Sequence, residues 1–184
     1  MNWRDQRPDD AMVGAFDVIA PVEVKAVEAP RFREAMSLYG AAVHVVTTDG
    51  PGGKTGFTAT AICSVSDTPP TLLVCLNRRS LAAPILSANG VFCVNTLRAA
   101  DEAIADTFAG RTGAVLADRF KVGSWQPLAT GAPALTTGIV CCDCRVTEVT
   151  AVGSHNVIFG VVEAISFGPP GSALVYHGRS YKTV

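Results

Sequence analysis

The sharpest pattern of apolar and polar positions along the chain runs from Thr55 to Ser66. Odd positions Phe57, Ala59, Ala61, Cys63 and Val65 are apolar or small, and even positions Thr58, Thr60, Ser64 and Ser66 carry hydroxyls. A period of two is that of a β-strand, so the pattern predicts a strand with one packed face and one row of neutral hydrogen-bonding groups. Such a row suits a polar, planar or phosphorylated ligand, because hydroxyls meet it without burying charge. An antiparallel strand with one wetted face shows the same alternation.

Around this segment the pattern predicts short elements. Phe32, Met36 and Tyr39 fall at helical spacing between Pro30 and Gly40, a good opening and a good stop. Ala41 to Asp49 reads as a strand, turned by Asp49-Gly50-Pro51-Gly52-Gly53 into the hydroxyl-bearing one. Thr71 to Leu76 is an apolar β run, Ser80 opens a helix ending near Asn89-Gly90, and Val91 to Leu97 is another strand. A helix over Ala100 to Phe108, a polar connection over Gly110 to Gly123, and strands over Ile139–Val149, Asn156–Phe167 and Ala173–His177 complete the reading. Many strands joined largely by hairpins, with a few short helices, predict a mainly β fold: a small, closed or nearly closed antiparallel barrel with peripheral helices. Regular βαβ alternation and a GxGxxG turn are missing, which weighs against a Rossmann site. Residues 1–30 show no clear periodicity and are expected to form an N-terminal arm, with one domain over residues 31–184.

Composition narrows the function classes. Charged residues make up 17% of the 184 and the net charge is −1, so no electrostatic footprint for nucleic acid is present. The apolar stretches are strand-sized, and the opening MNWRDQRPDD lacks a basic start followed by an apolar segment, so the expectation is a cytoplasmic protein with no membrane partner. The six cysteines sit in apolar, strand-like contexts and read as reduced, buried thiols. Cys141-Cys142-x-Cys144 on a strand puts Cys142 and Cys144 on one face and Cys141 on the other, and no second pair follows at zinc spacing; no metal site is expected.

Candidate chemistry lies in three places. At Asn77-Arg78-Arg79-Ser80 a strand end meets a helix start, where backbone N–H groups, the Ser80 hydroxyl and two guanidiniums can hold a phosphate; an N-capping serine beside two solvated arginines fits the same residues. His155 follows Gly153-Ser154 and is presented by a turn, where an imidazole can bond a carboxamide or move a proton, although most such histidines are surface residues. His44 sits within a strand and reads as structural. Tyr176-His177-Gly178-Arg179-Ser180-Tyr181 offers a ring and a guanidinium, or a sheet edge. No Gly-x-Ser-x-Gly turn and no electropositive cysteine stands out, so any reaction is expected to be carried by a bound cofactor.

Several of these segments, taken in order, resemble a known family. Phe32-Arg33-Glu34-Ala35-Met36, the run from Gly56 to Asn77, Cys93-Val94-Asn95-Thr96-Leu97, Phe108-Ala109-Gly110, Gly153-Ser154-His155 and His177-Gly178-Arg179-Ser180-Tyr181 are similar to the short-chain NAD(P)H:flavin oxidoreductases, the reductase components of two-component flavin monooxygenases. The likeness is greatest to the reductases of pyrimidine utilisation and of 4-hydroxyphenylacetate hydroxylation, and it covers about Arg31 to the end. It implies an FMN-binding split β-barrel, a homodimer that takes a hydride from NADH or NADPH, reduces FMN or FAD and passes reduced flavin to a separate monooxygenase. Carried over by position, Thr58, Ala59, Thr60 and Ala61 line the flavin ring and ribityl chain; Ser64, Asn77, Arg78 and Ser80 surround ribityl and phosphate. Asn95 and Phe108 lie near the ring, and His155, as the catalytic residue, lies with Tyr181 on the nicotinamide side. Two other readings share this fold: a reductase that keeps its flavin and passes electrons on, for instance to a corrinoid, and a flavin-binding module without turnover.

Overall fold

The computed structural model describes residues 25–184, so most of the expected N-terminal arm lies outside the described residues. The first helix, α1 (Ala29–Ser37), begins with Pro30 in its first turn, where the missing N–H costs nothing. It buries none of its residues; Phe32, Met36 and Tyr39 are all exposed.

A seven-stranded antiparallel sheet forms the body, in the order β3-β2-β6-β9-β10-β5-β4. Its strands are β2 (His44–Thr48), β3 (Thr55–Ala59), β4 (Ile62–Asp67), β5 (Pro70–Asn77), β6 (Val91–Thr96), β9 (Val140–Val152) and β10 (His155–Phe167). The two edge strands, β3 and β4, are consecutive in the chain and joined only through Thr60 and Ala61. A sheet whose first and last strands lie so close along the chain must curl round on itself. The edges do not pair with each other, so the barrel is split along that seam. The corner is pinned on the β4 side of the seam, since the Cys75 amide of β5 donates to the Ala61 carbonyl at 3.1 Å.

This overturns one part of the sequence reading: Thr55–Ser66 is not one strand but two, on opposite edges of the split. The hydroxyl row is broken with it. Thr58 Oγ1 donates to the Ala105 carbonyl at 2.6 Å, Ser66 Oγ closes a local turn with Thr68, and Ser64 is exposed on β4. Period-two alternation reports which side a residue faces within a strand but is blind to a corner that preserves the alternation.

Side chains alternate across β2, β6 and β9 into two cores. Val46, Phe92, Val94, Cys144 and Ile158 face the barrel interior with Leu72, Val74 and Leu76, closed at one end by Ala82 and Leu86 of α2 (Ala82–Asn89). The opposite face buries Val45, Cys93 and Cys141 under α3 (Glu102–Phe108), the hairpin of β7 (Trp125–Pro127) and β8 (Pro133–Leu135), and Leu174 of β11. The expected split of the cysteine cluster holds: Cys141 packs in one core, Cys142 and Cys144 in the other. Gly160 is required by this packing, because a Cβ there would stand 2.6 Å from the Phe92 ring.

Three elements escaped the sequence pattern. The 3₁₀ turn Leu116–Lys121 lies in the stretch read as a polar connection, and the β7–β8 hairpin in the stretch after it to which no element was assigned. The tail forms β12 (Ser180–Thr183), which pairs with β11 (Leu174–His177); β11 in turn pairs with the two-residue β1 (Ala41–Ala42). Among the described residues no helix is long and apolar enough to cross a membrane.

Candidate functional site

The split in the barrel opens a cleft of about 400 Å³. Its floor is the end of β3 and the corner, Thr58 to Ala61; one wall is the end of β5 with Asn77 and Ser80, and the other is Phe108, Ala109 and Arg119. Three alanines line it, Ala59, Ala61 and Ala109, so a flat ring can approach the backbone closely. Gly56 keeps Phe108 in place: a Cβ on Gly56 would stand 2.7 Å from the Phe108 ring. That ring is fully buried at its base, edge-on to Phe120 at 5.1 Å and tilted against Trp125 at 5.4 Å. A cavity of this size with apolar walls and a few convergent polar groups is the usual form of a small-molecule site.

Polar groups gather at the end of β5. Asn77 Oδ1 accepts from the Arg79 amide at 2.9 Å, the Asn77 carbonyl accepts from Ser80 N, and the Arg78 amide donates to the Ser154 carbonyl at 3.0 Å. Ser80 Oγ accepts from the Ala82 amide at 3.2 Å. The backbone N–H groups of residues 78 to 80 are therefore spent on the turn. An anion here must be met by side chains, which corrects the expectation that free amides form the seat. Arg78 and Arg79 have no ion-pair partner among the described residues and line an adjoining hollow with Gly153 and Ser154. His155 begins β10 opposite Asn77 in the ladder, which carries its imidazole to the cleft mouth, and Ser154 Oγ lies 2.9 Å from its Nδ1.

A second lobe of about 230 Å³ shares Thr58, Ala59, Thr60 and Ala109 with the cleft and extends to Arg111, Tyr176 and Tyr181. Here the side chains are tied together. Tyr181 Oη donates to Asp106 Oδ1 at 3.0 Å, Arg111 Nη1 donates to the same oxygen at 2.7 Å, and the Tyr176 and Tyr181 rings meet edge-on at 5.5 Å. Burial, with the hydrogen bond to Asp106 behind it, pushes the Tyr181 phenol up to about 12. The hydrogen bond to Asp106 raises Arg111.

Of the residues expected at the site, Thr58, Ala59, Thr60, Ala61, Asn77, Ser80, Phe108 and His155 line the cleft, Arg78 the adjoining hollow, and Tyr181 the second lobe. His155 and Tyr181 were expected together but line different lobes. Ser64 lies outside the cleft, exposed on β4. Asn95 is also outside: it is fully buried, its amide donating to Val45 O at 2.9 Å and accepting from Leu135 N at 2.7 Å, so it holds β6 to β2 and β8 and touches no ligand space. His44, read as structural, sits against Thr96 Oγ1 at 3.1 Å, and burial lowers its pKa to about 4. The sequence reading gave no role to Arg119, Ala109, Arg111 and Tyr176; of these, Ala109 and Tyr176 stood in quoted motifs.

Comparisons with known proteins follow the same outline. Residues 36–184 match the model of the flavin reductase like domain. The chain is 49% identical over 170 residues to the FMN reductase (NADH) RutF of Methylorubrum extorquens strain DM4, covering 92% of this chain and 82% of that one. It is 48% identical to RutF of Klebsiella pneumoniae, with 83% and 92% covered. Among solved structures, one from Haemophilus somnus superposes with a TM-score of 0.80 at 41% identity, covering 86% and 100% of the two chains. BorF, the flavin reductase component of a bacterial two-component tryptophan halogenase, superposes with a TM-score of 0.79 at 26% identity, covering 85% and 98%.

Proposed function

From the premise that the chain belongs to the flavin reductase like family, we propose that it catalyses the NADH-dependent reduction of free FMN and supplies the reduced flavin to a separate monooxygenase. The observation that carries the reading is the cleft at the barrel seam: alanines on the floor, an aromatic wall, and uncharged polar groups at one end. FMN is a substrate here, and the site suits one that must leave. Its contacts are largely neutral and its mouth is open, so no deep enclosure has to be undone at each turnover. FAD is the alternative flavin, its longer arm reaching the hollow beside Arg78 and Arg79.

The chemistry asks little of the protein beyond position. NADH gives a hydride to the flavin, and no protein nucleophile or proton donor is required for that step. Ala59, Ala61 and Phe108 hold the ring flat, Asn77 and Ser80 meet the ribityl chain and phosphate, and His155 at the mouth meets the nicotinamide. Stacking the two rings sets the donor carbon of the nicotinamide against the acceptor nitrogen N5 of the flavin, and holding that geometry lowers the barrier.

The active form is a homodimer. The outward face of β5 and β10 presents Leu73, Cys75, Val157, Phe159 and Val161, all partly exposed, and no helix of the described residues covers it. An uncovered apolar sheet face of this kind marks an interface, and sedimentation at micromolar protein is expected to give twice the chain mass. Six unpaired cysteines suit a reducing, cytoplasmic location.

The deciding assay mixes purified protein with NADH and increasing free FMN and follows nicotinamide absorbance. NADH oxidation that rises with added FMN and saturates is expected. A protein that stays yellow through gel filtration and turns over at a rate indifferent to added FMN is instead a flavin-retaining reductase.

A further inference from the structure

One charge on the cleft wall has no counter-charge. The Arg119 guanidinium donates from Nε to the Ala114 carbonyl at 3.0 Å and from Nη1 to the carbonyls of Gly56 and Phe108 at 2.8 and 3.2 Å. All three partners are neutral. Among the described residues no carboxylate pairs with it, and the adjacent Asp118 is held by Lys121 at 2.8 Å. Burial lowers its pKa, as expected of a cation taken partly out of water without an anion beside it. The Nη2 edge has no acceptor in the described residues and is not a buried atom. Gly110, with φ of +79°, leaves that edge open, since a Cβ there would stand 3.4 Å from Nη2. A half-buried arginine on a ligand cleft, anchored by three carbonyls with two N–H groups to spare, is built to meet an anion.

We propose that Arg119 is the electrostatic residue of the reduction, its Nη2 edge stabilising the negative charge that the flavin ring acquires. This rests on the flavin reductase reading. Hydride transfer breaks the C4–H bond of NADH and forms N5–H on the flavin, moving two electrons and one hydrogen nucleus. NAD⁺ leaves with one more positive charge, and the reduced flavin carries one negative charge, spread over N1 and the C2 oxygen. A fixed cation beside that region favours the product and the transition state leading to it, with no reorganisation at the moment of reaction. The placement argues for the ring rather than the phosphate. Arg119 is tethered to β3 and to the end of α3 on the aromatic wall, whereas Asn77 and Ser80, suited to a phosphate, stand at the end of β5.

The test is a pair of binding measurements, with oxidised FMN and, without oxygen, with reduced FMN. Arg119→Gln is expected to lose about tenfold or more in affinity for reduced FMN and under about threefold for oxidised FMN, as removal of one charge-assisted contact requires. Arg119→Lys, which keeps the charge but not the fork, is expected to lose less of the wild-type ratio than Arg119→Gln. Riboflavin is expected to show the same loss, because the contact is to the ring. Equal losses for both redox states, a lysine variant as impaired as the glutamine one, or a loss confined to the phosphorylated flavin each overturns the proposal. Should the variants fail to fold, the wild-type protein still answers: bound 8-mercapto-FMN is expected in its quinoid form, with the charge at N1 and C2, and the thiolate form overturns the role. Failure of the wild type to take up oxidised FMN at all overturns the flavin reductase reading itself.

Discussion

The two ends of the groove are built in different ways. At the end of β5, the turn through Asn77, Arg78, Arg79 and Ser80 satisfies its own amides and leaves exposed guanidiniums and the His155 imidazole unattached except to one serine. At the other end, Tyr181, Asp106 and Arg111 form a closed network with Tyr176 packed against it. Loose side chains adapt to a ligand that comes and goes. A tied network presents one fixed surface and loses little entropy when something docks on it. Adjustable groups at one end therefore suit the substrates that exchange at every turnover, and the second lobe is a fixed wall beside them.

Phe108 stands between the two ends, and its removal is expected to have the largest effect. Its ring is 1% exposed and anchors Phe120 and Trp125. Phe108→Ala is expected to cost about 3–5 kcal/mol of stability, because it removes a large buried ring and leaves a hole the neighbours cannot fill. Urea denaturation measures this, and a loss below about 1 kcal/mol would show that the wall collapses freely and does not fix the distance between the ends.

His155→Ala comes next. Its imidazole lies at the mouth, opposite Asn77. Loss of one hydrogen bond to the nicotinamide carboxamide is expected to raise the KM for NADH about tenfold and to leave the Kd for oxidised FMN nearly unchanged. Equal loss of both would place His155 on the flavin. Ser80→Ala is smaller. Its hydroxyl lines the same end while accepting from Ala82 N, so it has a proton free to donate. Weakening of FMN by about three- to tenfold is expected, with riboflavin unaffected. An unchanged preference between the two flavins would leave Ser80 as a helix-opening residue alone.

Much of this contrast was legible in the sequence, but unevenly. The end of β5 was readable because its parts are contiguous: a β run, then Asn-Arg-Arg-Ser, then a helix. His155 was readable from its place after Gly-Ser. The second lobe was legible only in its C-terminal segment, Tyr176 to Tyr181, because Asp106 and Arg111 come from a helix and the turn after it, and no local spacing links them to that hairpin. Arg119 was hidden for a related reason. Its partners are the backbone carbonyls of Gly56, Phe108 and Ala114, which leave no trace in side-chain pattern. Asn95, placed near the ring by the family resemblance alone, is used differently: inside the sheet it satisfies neighbouring strands, bonding Val45 and Leu135.

The smallest effect tests whether the second lobe is as rigid as its bonds suggest. In the folded protein the Tyr181 phenol is held at about 12, against about 10 when unfolded, because burial and the Asp106 carboxylate both disfavour the phenolate. Between those values the folded state binds more protons than the unfolded one, so stability falls as pH rises. The contribution is fully present below pH 10 and lost by about pH 12. Tyr181→Phe removes the titration together with the hydrogen bond. At neutral pH the variant is expected to be less stable by up to about 1 kcal/mol, as for one partly exposed bond. From pH 10 to 12 that gap is expected to narrow, because only the wild type is losing the contribution. Urea midpoints of the two proteins across the window decide it: a gap that stays constant would mean that Tyr181 ionises as freely as in the unfolded chain and that the network is not a fixed surface.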